Sequence, residues 1–133
     1  MDNHAINEKL LTGEAWSVFC DHLKRCGEQI LRTETPNDPA TRAEGFRYLT
    51  RLLRIALEMH VEFADPAFPS FFKTSHETAK IGADNPDNIY EYARLKGDLD
   101  YKIRGNRGTV SYLSFATQKG GYETDGRMTV TGF

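Results

Sequence analysis

Near Gly97 the apolar residues of this chain stop recurring every three to four positions and begin to alternate. No single element satisfies both periods, so helices and strands must occupy separate parts of the chain. The stretch from Ile81 to Phe115, IGADNPDNIYEYARLKGDLDYKIRGNRGTVSYLSF, carries the change. Before it, Trp16, Phe19, Cys20, Leu23 and Ile30 form one helical stripe. Phe46, Leu49, Leu52, Leu53, Ala56, Met59, His60 and Phe63 form a longer one. After it, Leu99, Tyr101 and Ile103 alternate with Asp98, Asp100, Lys102 and Arg104, the pattern of a half-buried strand. The chain therefore reads as α+β: two amphipathic helices, a short helix, then an antiparallel β-hairpin or meander.

Local signals set the boundaries. The first helix is expected over 13–31, with Thr12 able to cap it and Glu14 placed well against the helix dipole. Gly27 weakens it by about 1 kcal/mol relative to alanine. Thr33 to Pro39 (TETPNDP) is a connector. Asp38 followed by Pro39 is a cap and then a first-turn proline, opening a helix over 39–64 that Asp65-Pro66 closes. Asn85-Pro86-Asp87 repeats the signal and predicts a third, short helix carrying Ile89, Tyr92 and Ala93. The intervening loop is broken by proline and expected to be pinned by Phe68, Phe71 or Phe72. At 133 residues the chain is one domain or part of one. It divides into 1–66 (helical), 67–96 (loop and short helix) and 97–133 (antiparallel strands).

Gly105-Asn106-Arg107-Gly108 predicts a hairpin turn with two competing registers. A two-residue loop pairs Ile103 with Val110 and Tyr101 with Tyr112, but forces a positive φ on Arg107. A three-residue loop places Gly108 in the left-handed region and pairs Tyr101 with Leu113 and Leu99 with Phe115, which suits the residues better. Either way Val110, Tyr112, Leu113 and Phe115 load both faces of the second strand. Asp125-Gly126 marks a further turn, and Arg127 to Phe133 a further strand. One layer of helices covers one face only, so self-association or the remainder of a longer chain is expected to complete the sheet.

Composition narrows the chemistry. A net charge of −2 argues against a nucleic-acid partner. No window reaches the ~18 apolar residues of a membrane span. The polar start MDNHAINEKLL lacks the features of a secretory signal, and a cytoplasmic location is expected. Cys20 and Cys26 lie about 9 Å apart along a helix axis and on different faces, so free thiols rather than a disulfide are expected. No metal or cofactor is expected. Glu58, His60 and Glu62 sit two apart on a helix, His4, His22 and His76 stand alone, and the two cysteines lack zinc-site spacing. Asp84, Asn85, Asp87 and Asn88 lack the rest of an EF-hand loop.

No phosphate loop, GxSxG elbow or Rossmann fingerprint occurs, so the catalytic residues stay unknown and the question of an enzyme stays open. Arg47, Arg51 and Arg54 share a helix face, where Arg54 can meet Glu58. The candidate ligand-binding set is Tyr101, Lys102, Arg104, Arg107 and Tyr112. Basic groups beside aromatic rings suit a small molecule that is apolar with an acidic end. A surface salt-bridge network with Asp98 and Asp100 is the commoner use of such residues.

The order RAEGFRYLTRLLRIALE, then DNPDNIYEYARLKGDLDYKIRGNRGTVSYLSF, resembles the bacterial family catalogued as domain of unknown function 1214. The likeness runs from Arg42 to Phe133. Its most specific parts are Asn85 to Asp87, Tyr90 and the YKIRGNRG segment from Tyr101 to Gly108. It implies helices added before a larger β-sandwich-type region, with further strands beyond the hairpin, and it supplies no reaction. Two function classes follow. One is binding of, or action on, a small apolar or acidic molecule; the other is a non-catalytic module that pairs through an open sheet edge.

Overall fold

The structure, a computed structural model, describes residues 3–82, 85–122 and 127–131. It is an α+β protein, and the described residues form α1 (Asn3–Leu11), α2 (Glu14–Glu28), α3 (Pro39–Leu57), β1 (Phe72–Lys73), β2 (Glu91–Tyr92), β3 (Lys119–Tyr122) and β4 (Met128–Thr131). The chain forms two compact units, Met1–Leu99 and Asp100–Phe133.

In the first unit both predicted long helices form. A 3-10 turn, Gln29–Leu31, extends α2, and a π-helical turn, Glu58–Glu62, extends α3. The Asp38 carboxylate accepts a hydrogen bond from the Thr41 N–H at 2.9 Å, and Pro39 sits in the first turn as its missing donor allows. That cap holds the Asp38 carboxyl below its usual range, chiefly through the Thr41 backbone N–H. Gly13 takes the capping position of α2 at φ +76°, with no side chain to offer, and the Thr12 hydroxyl serves both helices: it accepts from the Glu14 N–H at 3.5 Å and donates to the Glu8 carbonyl at 2.9 Å. It closes α1, a helix the residue pattern does not announce.

The helices meet where glycine lets them. A Cβ built on Gly45 would come within 2.7 Å of Ile30 Cγ2, and one on Gly27 within 3.7 Å of the Phe46 ring. Arg42 ties the connector to both helices, donating to the Ile30 carbonyl and to the Thr35 carbonyl. The expected Trp16/Phe19/Leu23 and Phe46/Leu49/Leu53 faces are only partly covered: Trp16 is 69% exposed, and Leu23, Leu49 and Leu53 are half-buried. Among the described residues the buried apolar ones are Ile55, Phe72 and Ala79. Ile55 was not in the predicted stripe.

Phe72 is the anchor of the phenylalanine-rich loop, whereas Phe68 and Phe71 are exposed. Its ring stacks on Phe63 at 5.2 Å and meets the edge of Tyr92 at 5.6 Å. The π-helical turn delivers Phe63, whose N–H reaches back five residues to the Glu58 carbonyl at 2.8 Å. From α3, Arg54 donates to the Thr78 carbonyl at 2.6 Å rather than pairing with Glu58, and the Tyr48 hydroxyl accepts from Gly82 N–H at 2.8 Å.

The third helix predicted at Asn85 is absent. The Asn85 side-chain oxygen accepts from Asp87 N–H at 2.9 Å, an Asx turn rather than a helix cap, and the chain then enters β2, which pairs antiparallel with β1. The few residues before β2 are too short for a stable helix.

In the second unit Gly108 has φ +65°, as the three-residue loop requires, but neither predicted ladder forms between 99–103 and 110–115. Side chains close the turn instead. Asn106 Oδ1 accepts from Gly108 N–H at 2.8 Å, and Arg107 donates to the carbonyls of Val110 and Ser111 at 2.9 and 2.5 Å. Ile103, Val110, Tyr112, Leu113 and Phe115 are exposed, and a lone ribbon with neither face covered is marginal in water. The predicted last strand appears as β4, paired with β3 in a register that sets Lys119 opposite Thr131. The turn predicted at Asp125-Gly126 and the terminal Phe133 lie outside the described residues.

Candidate functional site

The turn around Gly108 carries the candidate ligand set. Arg107 is committed to two backbone carbonyls, which makes it a clamp on the turn. Lys102, Arg104 and Tyr112 are exposed, and Tyr101 is half-buried. Asp98, proposed as a partner for this basic group, is paired with Lys96 at 2.8 Å.

Within the first unit a polar cleft of about 510 Å³ lies between β1, the turn closed by the His76–Ala79 bridge, and the Asn85–Tyr90 turn. Each wall has a local cause. The ladder of β1 with β2 fixes Lys73, the paired N–H and carbonyl groups of His76 and Ala79 close the tight turn, and the Asn85 amide donates to the Tyr90 hydroxyl at 3.3 Å. Lys73, His76, Glu77 and Lys80 line it, with Ile81 and Ile89 as apolar surface. His76 Nδ1 lies 3.4 Å from the Thr78 hydroxyl that also meets Arg54. The Glu77 carboxyl is held below its usual range, first by its own backbone N–H and then by the nearby charges of Lys73, His76 and Lys80. The Ser75 hydroxyl, shielded in the same wall, has no hydrogen-bond partner.

Sequence reasoning missed this cleft because it treats 67–84 as a loop and weighs His76 alone. The available signal was the density of Lys73, His76 and Lys80 in a segment that Phe72 pins to the core.

A second concavity, about 600 Å³, is an apolar groove between α2 and α3. Leu23, Gly27, Leu31, Phe46 and Leu49 form it, and Lys24 and Glu28 stand beside them. Nearer the start of α2, the exposed rings of Trp16 and Phe19 lie 5.5 Å apart. Cys20, also in the groove, and Cys26 are free thiols. Among the described residues no three His, Cys, Asp or Glu side chains converge on a metal position, and no helix is long and apolar enough to cross a membrane.

No family model and no curated protein matches the chain. Among solved structures, it is similar to the crystal structure of an uncharacterized protein from Burkholderia cenocepacia, with 71% sequence identity and a TM-score of 0.83. The match covers 94% of this chain and 35% of that one, so the chain spans about a third of the length of the Burkholderia protein.

Proposed function

We propose that this chain is a non-catalytic interaction module whose exposed apolar residues, on the helices and around the Gly108 turn, are covered by further polypeptide. One observation carries the reading: among the described residues Ile55, Phe72 and Ala79 are the buried apolar ones, while Trp16, Phe46, Leu52, Ile103, Leu113 and Phe115 are among many large apolar side chains left in solvent. Large apolar side chains exposed in such number point to a surface that something covers. The polypeptide proposed is of the kind that fills the unmatched length of the Burkholderia protein, which is supported by the 35% coverage. Membership of domain of unknown function 1214, with a β-sandwich-type region completed by additional strands, belongs to the same proposal, as does a cytoplasmic location.

The test is light scattering after size exclusion, with an apolar dye, on the isolated chain. Self-association or strong dye binding that falls when the unmatched part of the Burkholderia protein is added in trans is the expected result. A monodisperse monomer at tens of micromolar without dye binding overturns the reading.

A second reading, small-molecule binding, is favoured by the polar cleft of the first unit, whose lining sets Lys73, His76 and Glu77 beside Ile81 and Ile89. The set Tyr101, Lys102, Arg104, Arg107 and Tyr112 supports it less, because Arg107 is occupied by backbone.

A further inference from the structure

We propose that the apolar groove between α2 and α3 receives a three-turn amphipathic helix of the further polypeptide, an occupant that the interaction reading leaves unnamed and on which this inference rests. Cys20, Leu23, Gly27 and Leu31 follow one another at steps of three and four along α2 and its 3-10 extension, and Phe46 and Leu49 stand three apart on α3. These two rows bound the groove of about 600 Å³. They come together at Gly27, where a built Cβ lies 3.7 Å from the Phe46 ring and 4.0 Å from Leu49 Cδ2. From Cys20 to Leu31 the first row runs roughly 17 Å along the axis, the length of about three turns of a docked helix.

The lining selects a helix over an extended segment. Leucine, phenylalanine and glycine side chains offer no hydrogen bond, and the backbones of α2 and α3 are engaged within their own helices. A strand laid there would desolvate N–H and carbonyl groups against surface that cannot pair with them. A helix pairs its own backbone and presents side chains alone, and anchors at every third or fourth position match the spacing of the two rows.

Charge and length narrow the occupant further. Lys24 and Glu28 stand beside the groove, exposed and one turn apart. They fit a helix that carries an acid and a base one turn apart beside its apolar face, and opposite charges there set the direction in which it lies. Polypeptide long enough to supply such a helix exists in the Burkholderia protein, of which this chain matches 35%.

Cys20 lies in the groove and Cys26 outside it, and both are free and exposed, so labelling of the two thiols reads occupancy against an internal reference. The probes are overlapping peptides of about 20 residues, long enough for a helix of this length, drawn from the unmatched part of the Burkholderia protein and added to the full chain. Maleimide labelling is followed thiol by thiol by mass spectrometry. A peptide with apolar residues every three to four positions is expected to slow labelling of Cys20 about tenfold at about ten times its Kd. It should gain helix signal on binding and leave Cys26 unchanged. Leu31→Glu, at a side chain 57% exposed, is expected to abolish that protection, and Leu11→Glu, 87% exposed on α1 and outside the groove, to preserve it. If Leu31→Glu disturbs α2, Lys24→Glu tests the same contact and is expected to weaken protection several-fold.

Protection by a peptide of alternating pattern overturns the helix, and protection by the whole unmatched part but by no peptide overturns a single-helix occupant. Protection that grows with the concentration of this chain alone makes the occupant a second copy and overturns the assignment. Loss of dye binding on adding the whole unmatched part, with Cys20 as reactive as before, overturns the groove and leaves the interaction reading standing. If dye binding and Cys20 labelling both stay as they were, the two readings fall together.

Discussion

The segment from α3 to β2 and the turn around Gly108 both take the local geometry their residues demand, yet only the first acquires a core. In the first, side chains reach far along the chain. Tyr48 meets Gly82, Arg54 meets Thr78, and Phe63, Phe72 and Tyr92 join three elements through their rings. In the second, the bonds that close the turn span two to four residues, from Asn106 to Gly108 and from Arg107 to Val110 and Ser111. Local bonds set a turn, but a ladder with apolar residues on both faces forms when something covers those faces.

The sharpest way to break the comparison is to remove its aromatic pivot. Phe72→Ala deletes a ring 8% exposed that touches Phe63 and Tyr92, and is expected to cost about 3–5 kcal/mol in denaturant melts. Phe68→Ala, at a side chain 82% exposed, is expected to stay within about 0.5 kcal/mol. Similar losses at the two positions would mean that Phe72 anchors nothing.

Next in size is the helix contact. In Gly45→Ala the new methyl lies 2.7 Å from Ile30 Cγ2, and a β-branched neighbour has little rotamer freedom to yield. Overpacking of about 1–3 kcal/mol works against a helix-propensity gain of about 1 kcal/mol, for a net loss of about 1 kcal/mol. In the Ile30→Ala background the clash is gone, so Gly45→Ala should become neutral or stabilising; an unchanged effect would show that Ile30 is not the obstacle.

These two sites also mark what was legible in the amino-acid order. Asp38-Pro39 announces its helix because cap and proline act within one turn, and the positive φ of Gly108 follows from the turn alone. The same locality misleads at Asn85-Pro86-Asp87, where an Asx turn uses the same residues as a cap and the pairing of β2 with β1 decides between them. Thr12 serves the start of α2 as its position suggests, and nothing in its neighbours shows that it also closes α1. Gly45 carries no periodic signal, since its role depends on Ile30 arriving from another helix. Lys73, His76 and Lys80 share a cleft because α3 holds the loop at Gly82 and Thr78, contacts 24 and 34 residues apart in the chain. The set Tyr101, Lys102, Arg104, Arg107 and Tyr112 presupposes a hairpin ladder that does not form.

Gly108→Val tests whether the turn stands alone. Nothing lies within 4 Å of a Cβ built there, so the penalty is backbone strain alone at φ +65°, about 1–2 kcal/mol. The expected signature is local. Amide exchange should quicken around Asn106 to Ser111, while the melt of the first unit stays where it was. A matching loss of stability in α3 would mean that the two regions are coupled.

The smallest effect expected is a pH dependence at the start of α3, and its sign follows from the cap. Hydrogen bonding from the Thr41 N–H lowers the Asp38 carboxyl in the folded chain. A group lowered on folding contributes stability that is fully present above its unfolded value, about 3.9 for aspartate, and is lost as pH falls through the lower folded value. Helix signal should therefore weaken on acidification below the ordinary carboxylate range. Glu44, lowered by its hydrogen bond to Arg47, and Glu77 add losses of the same sign, so the wild-type profile alone cannot isolate Asp38. Asp38→Asn keeps a capping acceptor and removes the titration. The difference between the two circular-dichroism profiles should be flat at neutral pH and shrink in acid as Asp38 protonates. A difference that grows on acidification would mean that the cap is stronger protonated than ionised, contrary to the geometry at Thr41.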